Sequence, residues 1–195
     1  MLKIGLTGSI GVGKTVVANF LREQGCIVFD ADKIAQKVME PQMIAYNEVV
    51  KEFGSSILLT NKSIDRAKLG AIVFSDQNKR KCLNAIVHPR VLEEQDKLFS
   101  ALPSDAIVII EAALMIEAGS QKRFDKLVVV HCNHEMQIKR IIERNKLTRE
   151  EAERRIAAQL SSKEKCHYAD YIIDTSGTLD ETRQRVLEVY VSLKG

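Results

Sequence analysis

The sequence predicts an α/β fold with a parallel, doubly wound sheet. Three observations predict it. Short apolar runs of strand length alternate with amphipathic helical stretches along most of the 195 residues. The first run, Lys3–Thr7, passes straight into a glycine-rich turn and then into a helix. The run Ala106-Ile107-Val108-Ile109-Ile110 is apolar at every position, the pattern of a strand covered on both faces.

The glycine-rich turn is Gly8-Ser9-Ile10-Gly11-Val12-Gly13-Lys14-Thr15, followed by Val16. It fits G-x-x-x-x-G-K-[ST], a loop that cradles phosphates. Glycines let successive backbone N–H groups turn toward one anion, and the helix N-terminus adds partial positive charge. In such a loop Lys14 reaches the β- and γ-phosphates and the Thr15 hydroxyl holds Mg²⁺. The strand before it and the helix after it supply the context this chemistry needs.

Taken in order, strand 1 is Lys3–Thr7 and helix 1 runs from Lys14 to about Gln24, with Val16, Val17, Phe20 and Leu21 on its apolar side and Gly25 at its end. Strand 2 is Cys26–Phe29, and it delivers Asp30-Ala31-Asp32 at its carboxyl end, where ligands bind in open α/β sheets. From Lys33 to Leu102 strand runs give way to helical periodicity. Ile34, Ala35, Val38 and Met39 form one stripe, which Pro41 ends, and Ile44, Val49, Val50 and Phe53 form the next. Asp65–Phe74 and Asp76–Val87 read as helices, and His88-Pro89 reads as the start of another, with Pro89 at its first position. An insertion this long exceeds a simple crossover and suits substrate recognition over the strand ends. Strand 3 is Ala106–Ile110, ending in Glu111, and strand 4 is Lys126–Val130. Helices follow over His134–Arg144 and from Thr148 to about Leu160, the second opened by the capping-box pattern Thr148-Arg149-Glu150-Glu151. Strand 5 is Tyr171–Asp174, and a last helix covers Leu179–Leu193.

Composition narrows the functional class. Hydrophobic residues are 45% and charged residues 28%, as in globular proteins. A net charge of +3 is too small to argue for nucleic acid but suits a polyanionic small substrate. No apolar run is long enough to span a membrane. Cys26, Cys82, Cys132 and Cys166 form no C-x-x-C pair, so no zinc or redox motif is readable. Lys3 begins a strand rather than a charged leader, and a reduced cytoplasmic enzyme is expected.

Several side chains then stand out. Asp30 and Asp32 are two apart, and in extended backbone they face the same way. One of them accepting a proton from a substrate hydroxyl is what a phosphotransferase requires. Asp32, further past the strand, is the stronger candidate, and helix N-capping is the competing role. Glu111 holds the strand-end position of a carboxylate that places Mg²⁺, a task for which Asp30 is the alternative. Glu117 is read as a cap, a partner of an arginine or a substrate contact. Arg140 and Arg144 share one helix face in an arginine-rich stretch with Arg149, Arg154 and Arg155. Arginines closing as a lid would neutralise charge on a transferring group. Interleaved glutamates favour a solvated face for Arg149 instead. His88 is read either as a substrate contact or as a local packing or capping residue.

The chain resembles the dephospho-coenzyme A kinase family. The resemblance is carried by Gly5–Thr15, Asp30-Ala31-Asp32, Leu83–Pro89, Leu114–Glu117, Gln137–Arg140 with Arg144, Gln159, and Ala169–Asp174. It implies a P-loop nucleotide-kinase-like three-layer fold with five strands in the order 2-3-1-4-5. Residues 1–32 and 103–195 would form the nucleotide-binding core, 33–102 a helical insertion that binds the CoA substrate, and 138–160 a lid. It implies transfer of the γ-phosphoryl of ATP, with Mg²⁺, to the ribose 3′-hydroxyl of dephospho-CoA. It places Asp32 near the acceptor hydroxyl and Arg140 on nucleotide phosphates. Residues Gly8 to Val16, Arg140 and Arg144 would bind ATP; Asp32, His88 and Glu117 would face the substrate; Thr15 and Glu111 would hold the metal. The expected assembly is a monomer or weak homo-oligomer, without nucleic-acid or membrane partners. The chain departs from the family pattern at Val12 and Val16 (hydroxyl residues elsewhere), at Glu111-Ala112-Ala113 and at Thr175. Two other classes remain to be separated. A nucleoside monophosphate kinase shares the layout. A GTP-dependent switch would read guanine with N-K-x-D, and Asn61-Lys62 and Asn145-Lys146 both lack the aspartate.

Overall fold

A computed structural model describes residues 1–195. The order of elements is β1 (Leu2–Thr7), α1 (Lys14–Glu23), β2 (Ile27–Asp30), α2 (Ala31–Val38), α3 (Ile44–Phe53), α4 (Arg66–Ser75), α5 (Gln77–Ser100), β3 (Ile107–Glu111), β4 (Lys126–His131), α6 (His134–Asn145), α7 (Arg149–Ala157), α8 (Ser162–Cys166), β5 (Tyr171–Asp174) and α9 (Leu179–Lys194). Short 3-10 turns lie at Ser55–Ile57 and Ser120–Arg123. The chain separates into two compact units, Met1–Asp30 with Pro103–Gly195, and Ala31–Leu102.

The first unit is a five-stranded sheet in the order β2-β3-β1-β4-β5, parallel throughout. Helices cover both sides. On one side Ile4 and Leu6 of β1, Ile109 of β3, Val128 and Val130 of β4 and Ile173 of β5 pack with Val17, Ala18 and Leu21 of α1 and with Val186, Val189 and Leu193 of α9. These strands are short and β-branched, which suits a sheet buried on both faces. The register places Asp30 opposite Glu111 and His131 opposite Asp174, so the carboxyl ends of the strands form one polar rim. The β1 end, where Thr7 leads into the glycine turn, lies centrally on that rim.

The second unit is helical. Helices α2, α3 and α4 all pack against α5. Ile34 and Val38 of α2, Ala45 and Val49 of α3, Leu69 of α4, and Val87, Val91 and Phe99 of α5 are its buried apolar residues. The ion pairs Lys37–Glu94 (2.7 Å), Glu48–Arg90 (3.0 Å) and Glu52–Lys79 (3.1 Å) tie α2 and α3 to α5. Asp65 and Asp76 cap α4 and α5 through two backbone N–H groups each.

Two sequence expectations change here, and one helix appears that the sequence did not announce. Helix α5 does not stop at Val87: it is one helix of 24 residues with Pro89 inside it. An interior proline removes one helical hydrogen bond and crowds the preceding turn, at a cost of about 3 kcal/mol. Val87, Val91, Gln95 and Phe99 nevertheless form one buried stripe across Pro89, and packing on that stripe carries the helix through. Asp32 lies in the first turn of α2, not in extended backbone, so its spacing from Asp30 does not align the two side chains as strand neighbours. The helix α8 has no apolar periodicity to announce it; a complete capping box at Ser161 and Glu164 forms it.

Candidate active site

The turn after β1 is shaped by steric necessity. Gly8 has φ +151°, and a Cβ there would strike the Val130 carbonyl; Gly13, at φ +88°, is the left-handed residue from which α1 starts. The ammonium of Lys14, the first residue of α1, folds back over the loop and donates to the carbonyls of Gly8 (2.7 Å) and Ser9 (3.2 Å). Val12 is fully buried in the core, which accounts for an apolar side chain at that point in the loop.

Beside this loop is a cavity of about 520 Å³ lined by Gly11, Gly13, Lys14, Thr15, Val16, Arg140, Arg144, Thr175, Gly177, Leu179 and Thr182. Arg140 projects from α6 and is held by Thr175: Nη1 donates to the threonine hydroxyl at 2.9 Å and Nη2 to its carbonyl at 2.8 Å. The Thr175 hydroxyl in turn donates to the carbonyl of Val12 at 2.7 Å. Arg140 is thereby fixed to the loop as well as to the end of β5. Arg144, one turn later and exposed, donates through Nε to Asn145 at 3.1 Å. The cavity therefore gathers an ammonium, two guanidinium groups and a helix N-terminus, with Leu179, 66% exposed, as an apolar surface. That combination accommodates a polyphosphate joined to a flat ring.

Glu111 closes β3 at the same rim. Its carboxyl is held above the ordinary carboxylate range, first by burial; Lys14 opposes this, the Asp30 carboxylate adds to it, and Arg22 and the Thr15 hydroxyl oppose it more weakly. The structure thus brings Lys14, Thr15, Asp30 and Glu111 into one electrostatic neighbourhood. No cluster of three or more His, Cys, Asp or Glu residues could hold a metal by itself.

The segment between α7 and α8 reaches the loop from the other direction. Gln159 Oε1 accepts the Ile10 N–H at 2.9 Å, and the Leu160 carbonyl accepts the Ser9 hydroxyl at 3.0 Å. Gln137 of α6 donates to the Ile10 carbonyl at 2.7 Å. Glu117 accepts the Leu160 N–H at 3.0 Å and pairs with Lys165 at 2.9 Å, so its carboxylate is engaged by the protein on both counts. Arg149 is bound to Glu135 (2.6 Å) and Glu153 (3.0 Å), the solvated ion-pair face that its glutamate neighbours suggest. Arg154 and Arg155 are exposed.

Asp32 and His88 belong to the helical unit. Asp32 is exposed in the first turn of α2, where the helix N-terminus favours its charge. His88 is exposed within α5, not at a helix start. Thr175 and Gln137, which contact the loop, and Lys165, which lies behind it on Ala113 and Glu117, are polar residues that sequence reasoning did not place there. Each makes its contact with a residue more than thirty positions away, and no local pattern signals that.

A family model described as "Dephospho-CoA kinase" matches residues 2–181. The chain is 43% identical over 193 residues to the dephospho-CoA kinase of Aquifex aeolicus, covering 99% of this chain and 98% of that protein. A crystal structure of a Thermus thermophilus protein superposes with a TM-score of 0.85 at 31% identity, covering 98% of this chain and 96% of that one. The structure of the dephospho-CoA kinase from Campylobacter jejuni gives a TM-score of 0.73 at 28% identity, with the same coverage of 98% and 96%.

Proposed function

The chain belongs to the dephospho-CoA kinase family, and on that premise we propose how its residues divide the work of the reaction. The enzyme transfers the γ-phosphoryl group of ATP to dephospho-CoA, the final step of coenzyme A biosynthesis. Such transfer needs little covalent chemistry from the protein; positioning and charge stabilisation supply the rate.

Residues Gly8 to Val16 wrap the ATP phosphates with main-chain N–H groups, and Lys14 moves from the Gly8 and Ser9 carbonyls onto the β- and γ-phosphates. Arg140, pre-aligned by Thr175, stabilises charge on the group in flight, and Arg144 adds to the positive rim. Leu179 offers its apolar side to the base. In the helical unit Asp32 orients the ribose 3′-hydroxyl and takes its proton, while His88 contacts the acceptor. Residues 33–102 bind the CoA moiety, and residues 138–160 act as the lid. We read Glu117 as a support of that lid segment rather than as a substrate ligand, since Lys165 and the Leu160 N–H occupy its oxygens.

Mg²⁺ fits the residues present. The Thr15 hydroxyl and the Glu111 carboxylate, with Asp30 beside it, are hard oxygen donors, and a sparse protein donor set is usual for Mg²⁺ carried on nucleotide phosphates. Thr15 and Glu111 would hold it, and its chemistry is to neutralise the phosphate oxygens. The reading includes a cytoplasmic location and a monomer or weak homo-oligomer; no helix is long and apolar enough to cross a membrane.

The observation that carries the proposal is Lys14 and Arg140 lining the same cavity, one anchored on the loop and the other on Thr175. The test is incubation with Mg·ATP and dephospho-CoA, with coenzyme A detected by mass and AMP, CMP and UMP as competing acceptors. Phosphorylation of a nucleoside monophosphate in preference to dephospho-CoA would replace this reading.

A further inference from the structure

We propose that the buried Lys165–Glu117 pair is a positioning device for the phosphate loop, acting through the Gln159–Leu160 turn. The proposal rests on the reading of that loop as the ATP site. The Lys165 side chain is fully buried, and Nζ has three acceptors: the Ala113 carbonyl at 2.6 Å and the two Glu117 oxygens at 2.9 and 3.1 Å. These match the three donors of an ammonium group. A lysine is buried to this degree only where its charge is met.

The pair leads directly to the loop. Glu117, its side chain 22% exposed, accepts the Leu160 N–H at 3.0 Å. The Leu160 carbonyl accepts the Ser9 hydroxyl at 3.0 Å, and the neighbouring Gln159 side chain accepts the Ile10 N–H at 2.9 Å. The Ala113 carbonyl that receives Lys165 also accepts the hydroxyl of Thr7, the residue before Gly8, at 3.4 Å. The second half of the loop is held by the start of α1. Its first half, Thr7 to Ile10, is held by Lys14 on the Gly8 and Ser9 carbonyls, by Gln137 on the Ile10 carbonyl and by these contacts, of which Lys165 stands at the origin. Neither Lys165 nor Glu117 touches the loop itself, so both act on ATP only through residues 113 and 159–160.

Removing one partner of a buried pair is asymmetric. Glu117→Gln leaves an ammonium enclosed without its counter-charge, whereas Lys165→Met leaves a carboxylate that water can reach. Lys165→Met is therefore the primary variant, and Gln159→Leu cuts only the last link. Each is expected to raise KM for ATP about tenfold, the effect of a lost hydrogen bond or two. KM for dephospho-CoA and kcat should stay within roughly twofold, because the rest of the machinery is untouched. Hydrogen exchange at the Ile10 amide should accelerate while the amides of β3 and β4 keep wild-type protection. An unchanged KM for ATP in folded Lys165→Met overturns the proposal, as does a fall in kcat with both KM values unchanged, the mark of a purely structural pair. If Lys165→Met does not fold, Gln159→Leu decides by the same criteria. Lys14→Ala tests the underlying reading separately: wild-type KM and turnover in that variant would mean that the loop is not the ATP site.

Discussion

Arg140 gives both of its terminal nitrogens to one residue, Thr175, at 2.9 Å to the hydroxyl and 2.8 Å to the carbonyl. The same hydroxyl donates to the Val12 carbonyl inside the glycine-rich loop, so the threonine couples the guanidinium to the loop backbone. Thr175→Val removes that coupling and leaves the Arg140 and Val12 groups short of a partner. Thermodynamic stability should fall by about 1–2 kcal/mol, measured by urea denaturation. Turnover should fall several-fold with little change in KM for dephospho-CoA. Wild-type kcat in this variant would show that Arg140 needs no alignment by Thr175.

Asp32→Ala separates acid–base work from nucleotide binding. ATP affinity, measured by calorimetry, should stay near wild type, because the loop, Lys14 and Arg140 are intact. The coenzyme A-forming rate should drop about 10²–10⁴-fold, the usual scale for loss of a positioned general base. Near-normal turnover would remove Asp32 from the mechanism.

Glu111 gives a pH signature. Burial raises its folded-state pKa above the ordinary 4.5, so the folded protein binds a proton more readily there than the unfolded chain does. Stability attached to this group is therefore fully present at low pH and is lost as pH rises from about 4.5 through the folded-state value. Glu111→Gln should raise the Tm at pH 7 relative to wild type, and the gain should vanish below pH 4. The same variant should need more Mg²⁺ for half-maximal turnover. A Tm difference that is flat from pH 3 to pH 8 would count against the burial argument.

Pro89 also predicts a gain in stability on substitution. Pro89→Ala restores an N–H to the interior of α5 and relieves the crowding of the preceding turn, while the unfolded chain gains some freedom. The balance should stabilise the protein by about 1–2 kcal/mol in urea denaturation. A destabilised variant would mean that the rigidity of Pro89 in the unfolded chain outweighs the lost helical hydrogen bond.

The strands and most helices could be read from the chain because their causes are local. An apolar run such as Ile107–Ile110 has few alternatives to a buried strand, and the glycine pattern from Gly8 to Gly13 is a steric requirement visible residue by residue. The phosphate loop, the strand-end carboxylate Glu111 and the helix-face neighbours Arg140 and Arg144 follow from the same short-range rules. Helix α5 was hidden because proline is a strong local stop signal, and only burial of Val87 and Val91 against other helices overrides it.

Sequence alone determined the glycine-rich turn and the alternation of strands and helices, since each depends on short-range spacing, and its motifs spread from Gly5 to Asp174 were enough to indicate the family. Tertiary structure decided which polar side chains serve that turn. Lys165 sits in the polar stretch Ser161–Tyr168 and would pass for a solvated lysine, yet it is fully buried against Ala113 and Glu117, some fifty positions earlier. Thr175 reaches back to Val12 and Gln159 to Ile10 across still longer separations. Such contacts arise only when the sheet brings distant strand ends together, and the chain has no local energy term that announces them.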